Sequence, residues 1–505
     1  MQFNQNSKGK NQVANYEGAP AYRLSPEWEL YTSVVTAALS DNFYEKASDR
    51  LTKIRGLIQI CDHEFVARLA VYTREHMHLR SIPIVLAVEL AKVHSGDDLV
   101  RKMTSRVIQR ADEITELLAY YQTANLRKGL RKKLNRLSKQ LQAGLQIAFN
   151  KFDEYQFAKY NRDAEIKLRD ALFLVHPKAK DDAQQLIFNK IVEDNLQTPY
   201  TWETELSVLG QTKFNSEKEK KETFARKWEE LIDSEKLGYM ALLRNLRNIL
   251  EFEVSTNHIR RVFETIGDRK KVLRSKQLPF RFLAAYRELS KVSSGFAPKL
   301  MSALEAAVKV SAENIAGFDE STKVLVACDV SGSMQIAISP KSSIQNYDIG
   351  LMLGMLLKSR CENVVSGIFG DTWKIVNLPD SGVLSNVDAF YKREGEVGYS
   401  TNGYLVVKDL IDRKIVMDKI MIFTDCQLWD SWGRTSMKDV WKTYKSIAPG
   451  AKLYLFDLAG YGNVPLDITS DDVHLISGWS DKIFDILSAI DNGSDALKEI
   501  KAIEL

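Results

Sequence analysis

The chain runs to 505 residues with a formal net charge of +4, longer than one hydrophobic core usually organises, so two or more domains are expected. Four scattered cysteines (Cys61, Cys328, Cys361 and Cys426) with no C-x-x-C pair exclude a disulfide scaffold or zinc ribbon, and no run approaches the roughly 20 apolar residues of a membrane span. Residues 321–505 carry 19 Lys+Arg against 24 Asp+Glu, and the remaining 51 and 42 give 1–320 a net +9, so a polyanionic partner is expected on the N-terminal part alone.

Residues 1–20 are polar, rich in Gly and Asn, and lack the apolar core of a signal peptide; they read as a flexible segment on a cytoplasmic protein. From 21 to 318 apolar residues recur at three- and four-residue spacing, as in Leu57, Ile60, Cys61, Val66 and Leu69 or Leu242, Leu243, Leu246, Ile249 and Leu250, which predicts helix after helix. Breaks are expected at Ser81-Ile82-Pro83, Val175-His176-Pro177, Thr198-Pro199, Gln277-Leu278-Pro279 and Ala297-Pro298. Proline cannot donate to the helical ladder and disfavours helix in the residue before it. About five to seven helical hairpins fit this length, as a divergent helical-repeat array rather than one bundle.

Within that half, Arg127, Lys128, Arg131, Lys132, Lys133, Arg136 and Lys139 form a basic cluster. Lys151, Lys159, Arg162, Lys167 and Arg169 follow among Phe152, Tyr155, Phe157 and Tyr160. Cations neutralise phosphates and rings accept unpaired bases, the combination expected of a surface for single-stranded or irregular RNA. For the cluster around Arg131 and Lys132 a solvated helix face is an equally good reading.

After Phe318 the grammar changes, and 319–505 reads as a second domain. Short apolar runs at Lys323–Cys328, Val364–Phe369, Lys419–Phe423, Lys452–Phe456 and Val473–Ile476 alternate with amphipathic segments, which predicts an α/β domain with a mainly parallel sheet. Ligands of such sheets sit at the carboxyl ends of the strands. There the first strand runs into Asp329-Val-Ser331-Gly-Ser333, one carboxylate and two hydroxyls at alternate positions. They either converge on one hard cation, which prefers oxygen ligands, or form a polar turn capping the next helix.

Two further features bear on that choice: Gly398-Tyr-Ser-Thr401-Asn402-Gly403, and Thr424-Asp425 at the end of Lys419–Phe423. In order and spacing the three together resemble the metal-ion-dependent adhesion site of von Willebrand factor A domains, over about 323–490. The resemblance implies a doubly wound, Rossmann-like domain in which Asp329, Ser331, Ser333, Thr401 and Asp425 hold one divalent ion, Mg²⁺, with an open position for a carboxylate or phosphate oxygen. The chain departs from that pattern around Thr401, where a glycine commonly precedes and an aspartate often follows; Asn402 removes a negative charge, so weaker metal affinity is expected. No nucleophile with its general base stands nearby, and His474 in the last strand reads as a packed or edge residue, so a binding site and not an enzyme is expected.

The helical half carries its own landmarks: Asn15-Tyr-Glu-Gly-Ala-Pro-Ala-Tyr22, Arg80-Ser-Ile-Pro83, Lys159-Tyr-Asn-Arg162, Leu174-Val-His176-Pro-Lys178, Ala241-Leu-Leu-Arg244-Asn245-Leu246 and Leu278-Pro-Phe-Arg281-Phe282. They resemble the TROVE module of the Ro autoantigen family, bacterial members included, which also carries a C-terminal A domain. The resemblance implies HEAT-like helical repeats closed into a ring. It implies small structured Y-like RNA as ligand on a basic face, single-stranded ends of misfolded non-coding RNA in a central hole, a role in RNA quality control and an exoribonuclease as partner. By local motif it places Lys159, Arg162, His176 and Lys178 at RNA, with Arg244 and Arg281 near the ring interior; no DNA is expected. For His176 a helix-terminal cap, and for Arg244 and Asn245 a tie between neighbouring helices, are the structural readings. A metal-dependent protein-interaction scaffold, in which the A domain captures an acidic residue, is the competing function.

Overall fold

Proline marks where helices begin. Ser81–Ala91, Pro279–Leu289 and Ala297–Ser311 each carry one in the first turn, where its missing N–H is a donor the helix leaves free anyway. In the computed structural model the described residues are 12–37, 46–127, 137–161, 165–313, 318, 321–338, 342–379, 382–429, 435–478 and 483–505. Among them, seventeen helices lie between Pro26 and Ser311. Many open on a side-chain cap, such as Asp62 before His63–Glu75 and the capping box of Asp153 and Gln156. Among the described residues no helix is long and apolar enough to cross a membrane.

The chain divides into two compact units, each assembled from separated stretches. The first comprises Pro26–Leu39, Ser48–Thr201 and Ser494–Leu505. Its core is filled by Leu30, Ile54, Phe65, Leu69, Leu86, Leu117 and Phe149, all essentially inaccessible. Of the stripe read from the sequence here, Leu57, Cys61, Val66 and Leu69 face this core, whereas Ile60 is 67% exposed. A buried guanidinium, Arg74, is satisfied by the Val107 carbonyl at 3.0 Å and by Glu113 at 2.7 Å. The late helix Ala496–Lys501 returns to this unit, where Lys501 pairs with Glu27 at 2.6 Å and the Lys501 and Glu504 carbonyls accept from Arg68 and Arg106.

The second unit holds Met1–Ser25, Ser40–Ala47 and Trp202–Gly493. Its strands, in chain order, are β1 (Gln12–Ala14), β2 (Pro20–Arg23), β3 (Val324–Asp329), β4 (Val364–Phe369), β5 (Trp373–Ile375), β6 (Lys419–Thr424), β7 (Lys452–Asp457), β8 (Asn463–Val464) and β9 (Val473–Ser477). Six of them form one sheet in the order β5-β4-β3-β6-β7-β9, parallel except for the antiparallel edge strand β5. Every residue of β3 is buried, as its unbroken apolar run requires for a strand covered on both faces. From β3 the chain moves to β4 on one side and later to β6 on the other, which makes the β3/β6 crevice the topological switch point. β1 and β2 pair with each other and with β8 in a separate three-stranded sheet. The helix Ala297–Ser311 is tied to the α/β part through Glu305, whose carboxylate accepts the N–H groups of Val383, Leu384 and Ser385 around the start of the helix Leu384–Tyr391. A carboxylate there satisfies free donors and complements the helix dipole.

Candidate metal centre and RNA-facing residues

Asp329 and Asp425 leave the carboxyl ends of the two strands that flank the switch point. Asp329 is buried; its Oδ1 accepts the Ser331 N–H at 2.9 Å and its Oδ2 the Thr424 hydroxyl at 2.7 Å. The turn Gly332–Met334 then brings the Ser331 and Ser333 hydroxyls to 3.2 Å of each other. Asp425, also buried, uses only Oδ1, which accepts the Gln427 N–H at 2.9 Å. Burial and, for Asp425, the neighbouring Asp329 charge raise both carboxyls above the usual carboxylate range. Among the described residues neither forms an ion pair.

Thr401 reaches the same place on a loop that two glycines make possible. A Cβ on Gly370 would stand 2.1 Å from the Gly398 carbonyl oxygen, and Gly398 itself has φ +71°. The Tyr399 carbonyl accepts the Gly332 N–H at 3.1 Å and the Thr401 carbonyl accepts the Trp429 N–H at 3.0 Å, which fastens this loop to both carboxylate-bearing turns. Asn402 is buried, and its amide donates to the Asp371 carbonyl at 3.1 Å.

Two buried oxygens here, Thr401 Oγ1 and Asp425 Oδ2, have no hydrogen-bond partner among the described residues. Buried polar atoms are ordinarily satisfied. Two carboxylates and three hydroxyls with two oxygens left open fit a hard divalent cation, and the donor set is mostly hydroxyl: no cluster of three His, Cys, Asp or Glu suited to a metal occurs among the described residues.

Sequence reasoning missed four supports of this centre. Thr424 orients Asp329. Asp457, at the end of β7, adds a third buried carboxylate whose charge also raises Asp425; the strand-exit logic that found Asp425 applies to it. Cys426 has φ +62°, an uncommon conformation for a residue with a side chain, in the turn that carries Asp425. Asn15 Nδ2 donates to the Leu428 carbonyl at 2.9 Å, and the Tyr16 N–H donates to Gln427 Oε1 at 2.9 Å, so the N-terminal hairpin grips the same turn.

Among the RNA-facing expectations, Arg131, Lys132 and Arg162 lie outside the described residues. Lys159, His176 and Lys178 are exposed in the first unit. His176 does end the helix Leu168–Val175, with φ +50° and its N–H on the Leu172 carbonyl, while its ring stays outside. Gln142, Gln146 and Asn150 hold residues 174–178 by their carbonyls alone. The side chains of His176 and Lys178 therefore carry none of this local structure. Of the four aromatics read as base platforms, Phe152 and Phe157 are instead core residues: Phe157, on the inner side of the helix Glu154–Tyr160, stacks with Phe149, and Phe152, just before that helix, packs edge-on against Phe157. Tyr155 remains 49% exposed, with Lys159 Nζ 5.8 Å from its ring. Lys151 is exposed, but its ammonium is already engaged by the Ser105 and Ile108 carbonyls.

In the second unit Arg244 and Arg281 are exposed and form no ion pair among the described residues. Desolvation by the surrounding protein and then the Arg244 charge lower the pKa of Arg281, whose guanidinium lies 5.2 Å from the Phe280 ring. Asn245 bonds within its own helix, to the Ala241 carbonyl at 2.8 Å, so it is not a tie between helices.

Residues 32–226 and 195–299 match the family model described as the TROVE domain. The chain is 25% identical over 347 residues to telomerase protein component 1 of Mus musculus and 25% identical over 349 residues to that of Rattus norvegicus. In each case the match covers 52% of this chain and 13% of the much longer relative. The crystal structure of the Deinococcus radiodurans RO (RSR) protein superposes with a TM-score of 0.60 at 16% identity, covering 93% of this chain and all of that one.

Proposed function

This chain belongs to the TROVE domain family, a family of RNA-binding proteins, and from that premise we propose that it binds a small, structured, Y-like non-coding RNA and single-stranded ends of misfolded RNA, in non-coding RNA quality control. The carrying observation is the pair Arg244 and Arg281, two exposed guanidinium groups of which one depresses the other and neither forms an ion pair among the described residues. Folding gains nothing from like charges brought together, whereas a phosphate backbone supplies the missing anions. Lys159, His176 and Lys178 present further cations or donors at exposed positions. Phosphate contacts supply affinity, and RNA shape with unpaired bases supplies selectivity. The protein acts in the cytoplasm by binding, without catalysis, and delivers RNA to an exoribonuclease partner.

A second role for the A-type domain rests on the two open oxygens. Asp329, Ser331, Ser333, Thr401 and Asp425 would hold Mg²⁺. Such an ion, bound by few charged ligands, accepts a carboxylate or phosphate oxygen from a partner, which would make this domain the docking point for a protein. The test of the primary reading is the salt dependence of binding to a folded small RNA, compared between the wild type and Arg244→Glu with Arg281→Glu. A loss of affinity and a shallower salt slope at unchanged melting temperature is expected. Unchanged affinity would refute the assignment.

A further inference from the structure

Beside Lys159, in the first unit, a cavity of about 200 Å³ opens between the start of the helix Ala111–Arg127 and the side chains of Tyr160, Ile166 and Leu168. It is several times the roughly 30 Å³ that a water molecule occupies in the liquid. Tyr160 forms one wall, and the buried side chains of Ile166 and Leu168 form an apolar floor. Asp112, Thr115 and Glu116 line the opposite side.

The wall is built to stay in place. The Arg110 guanidinium lies 4.2 Å from the Tyr160 ring centre, and it is itself clamped by both oxygens of Asp112, at 3.1 and 2.9 Å. Arg80 bridges Asp112 at 3.1 Å and Glu116 Oε1 at 3.3 Å. Asp112 is thereby saturated by two arginines. Glu116, 45% exposed, keeps Oε2 without a hydrogen bond among the described residues. The aromatic wall, the apolar floor and one carboxylate with spare acceptor capacity thus meet in a single recess, with Lys159 Nζ 5.7 Å from the same Tyr160 ring.

We propose that this cavity receives one unstacked guanine of the bound RNA, ring against Tyr160 and Watson–Crick edge on Glu116. Guanine alone among the four bases presents two adjacent N–H donors, at N1 and N2, which a carboxylate accepts together; adenine, cytosine and uracil each offer one donor position on that edge. Lys159 then stands where the phosphate of the flipped nucleotide needs a cation. This deepens the RNA-binding reading and rests on it.

The experiment uses the full chain and fluorescein-labelled decauridine, the same oligomer with one central guanosine, the same with one inosine, and a folded small RNA. Guanosine should tighten binding over decauridine on the order of ten- to a hundredfold, the usual range for a bidentate base contact. Inosine, which lacks the N2 amine, should lose most of that gain, and this comparison needs no variant. Glu116→Gln should bring the guanosine-to-uridine ratio close to one, and Tyr160→Leu should lower it as well. Equal affinity for guanosine and uridine oligomers, or a preference that survives Glu116→Gln, overturns the pocket and leaves RNA binding standing. Binding of the folded RNA with no oligomer bound also overturns the pocket. Failure to bind any of the four RNAs overturns the RNA-binding reading and the pocket with it.

Discussion

Arg287 donates two hydrogen bonds, of 2.9 and 2.6 Å, to the two oxygens of Asp348, a carboxylate with no solvent exposure. The pair joins the helix Pro279–Leu289 to the first turn of the helix Asn346–Lys358, where Asp348 also accepts the Gln345 N–H at 2.9 Å. The Tyr391 ring lies 4.9 Å from the guanidinium and stacks on Tyr347. Removing the arginine strands a buried charge. Arg287→Ala is expected to destabilise the second unit by about 3–5 kcal/mol, read in urea unfolding. Arg287→Lys restores the charge but not the fork, and should recover only part of that loss.

The candidate metal centre makes a paired prediction. Mg²⁺ should raise the melting temperature of the wild type, by a stabilisation of about 2.7 kcal/mol at roughly 100 times Kd, and Asp329→Ala should abolish the response. In chelator, Asp425→Asn should melt higher than the wild type, because an amide avoids burying a charge and relieves the repulsion from Asp329. An unchanged Mg²⁺ response in Asp329→Ala, measured by scanning calorimetry, would remove these residues from any metal site.

Asn15 ties the N-terminal hairpin twice over. Its Oδ1 accepts the N–H groups of Glu17 and Ala19 at 3.1 and 2.8 Å, while its amide reaches the Leu428 carbonyl. Asn15→Ala should cost about 1–3 kcal/mol of local stability and speed amide hydrogen exchange in 425–428. Unaltered exchange there would mean the turn holds its shape unaided.

Because Gln142, Gln146 and Asn150 secure only backbone carbonyls of residues 174–178, His176→Glu with Lys178→Glu should leave the melting temperature within about 0.5 kcal/mol equivalent of the wild type and weaken RNA binding. A filter-binding titration at two salt concentrations decides it. Equal loss of folding would show these side chains to be structural.

His474 gives a pH dependence with a fixed sign. Burial, with Lys452 and Lys419 nearby outweighing Asp491 and Asp472, lowers its pKa, and Nε2 has no hydrogen-bond partner among the described residues. The unfolded chain then binds the proton more readily than the folded one. Stability is full above the unfolded pKa of about 6.5 and falls as pH drops below it. His474→Gln should flatten melting temperature against pH in that window.

What the sequence disclosed followed from periodicity and register. The runs at Val364–Phe369, Lys419–Phe423 and Lys452–Phe456 became strands with those starts, and the D-x-S-x-S turn lies where β3 ends. Short elements escaped: β1, β2, β5 and β8 have two to four residues, too few to show a period. The aromatics of 152–160 misled for a different reason. Alternation with lysines in sequence does not say which way each ring turns, and Phe157 took the inner side of its helix while Phe152, just before it, packed against Phe157. The hold of Asn15 on Leu428 spans 413 residues, a relation no local pattern encodes.

The interleaving of the two units sets an order on synthesis. Helices formed from residues 26–201 emerge early, yet their unit is finished only by Ala496–Lys501. Likewise β2 waits for β8, more than four hundred residues downstream, before its outer edge is covered. Both early segments leave the ribosome with unsatisfied edges and faces that only late residues cover. The growing chain thus passes through a long interval in which a chaperone, or the RNA itself, has an open surface to hold.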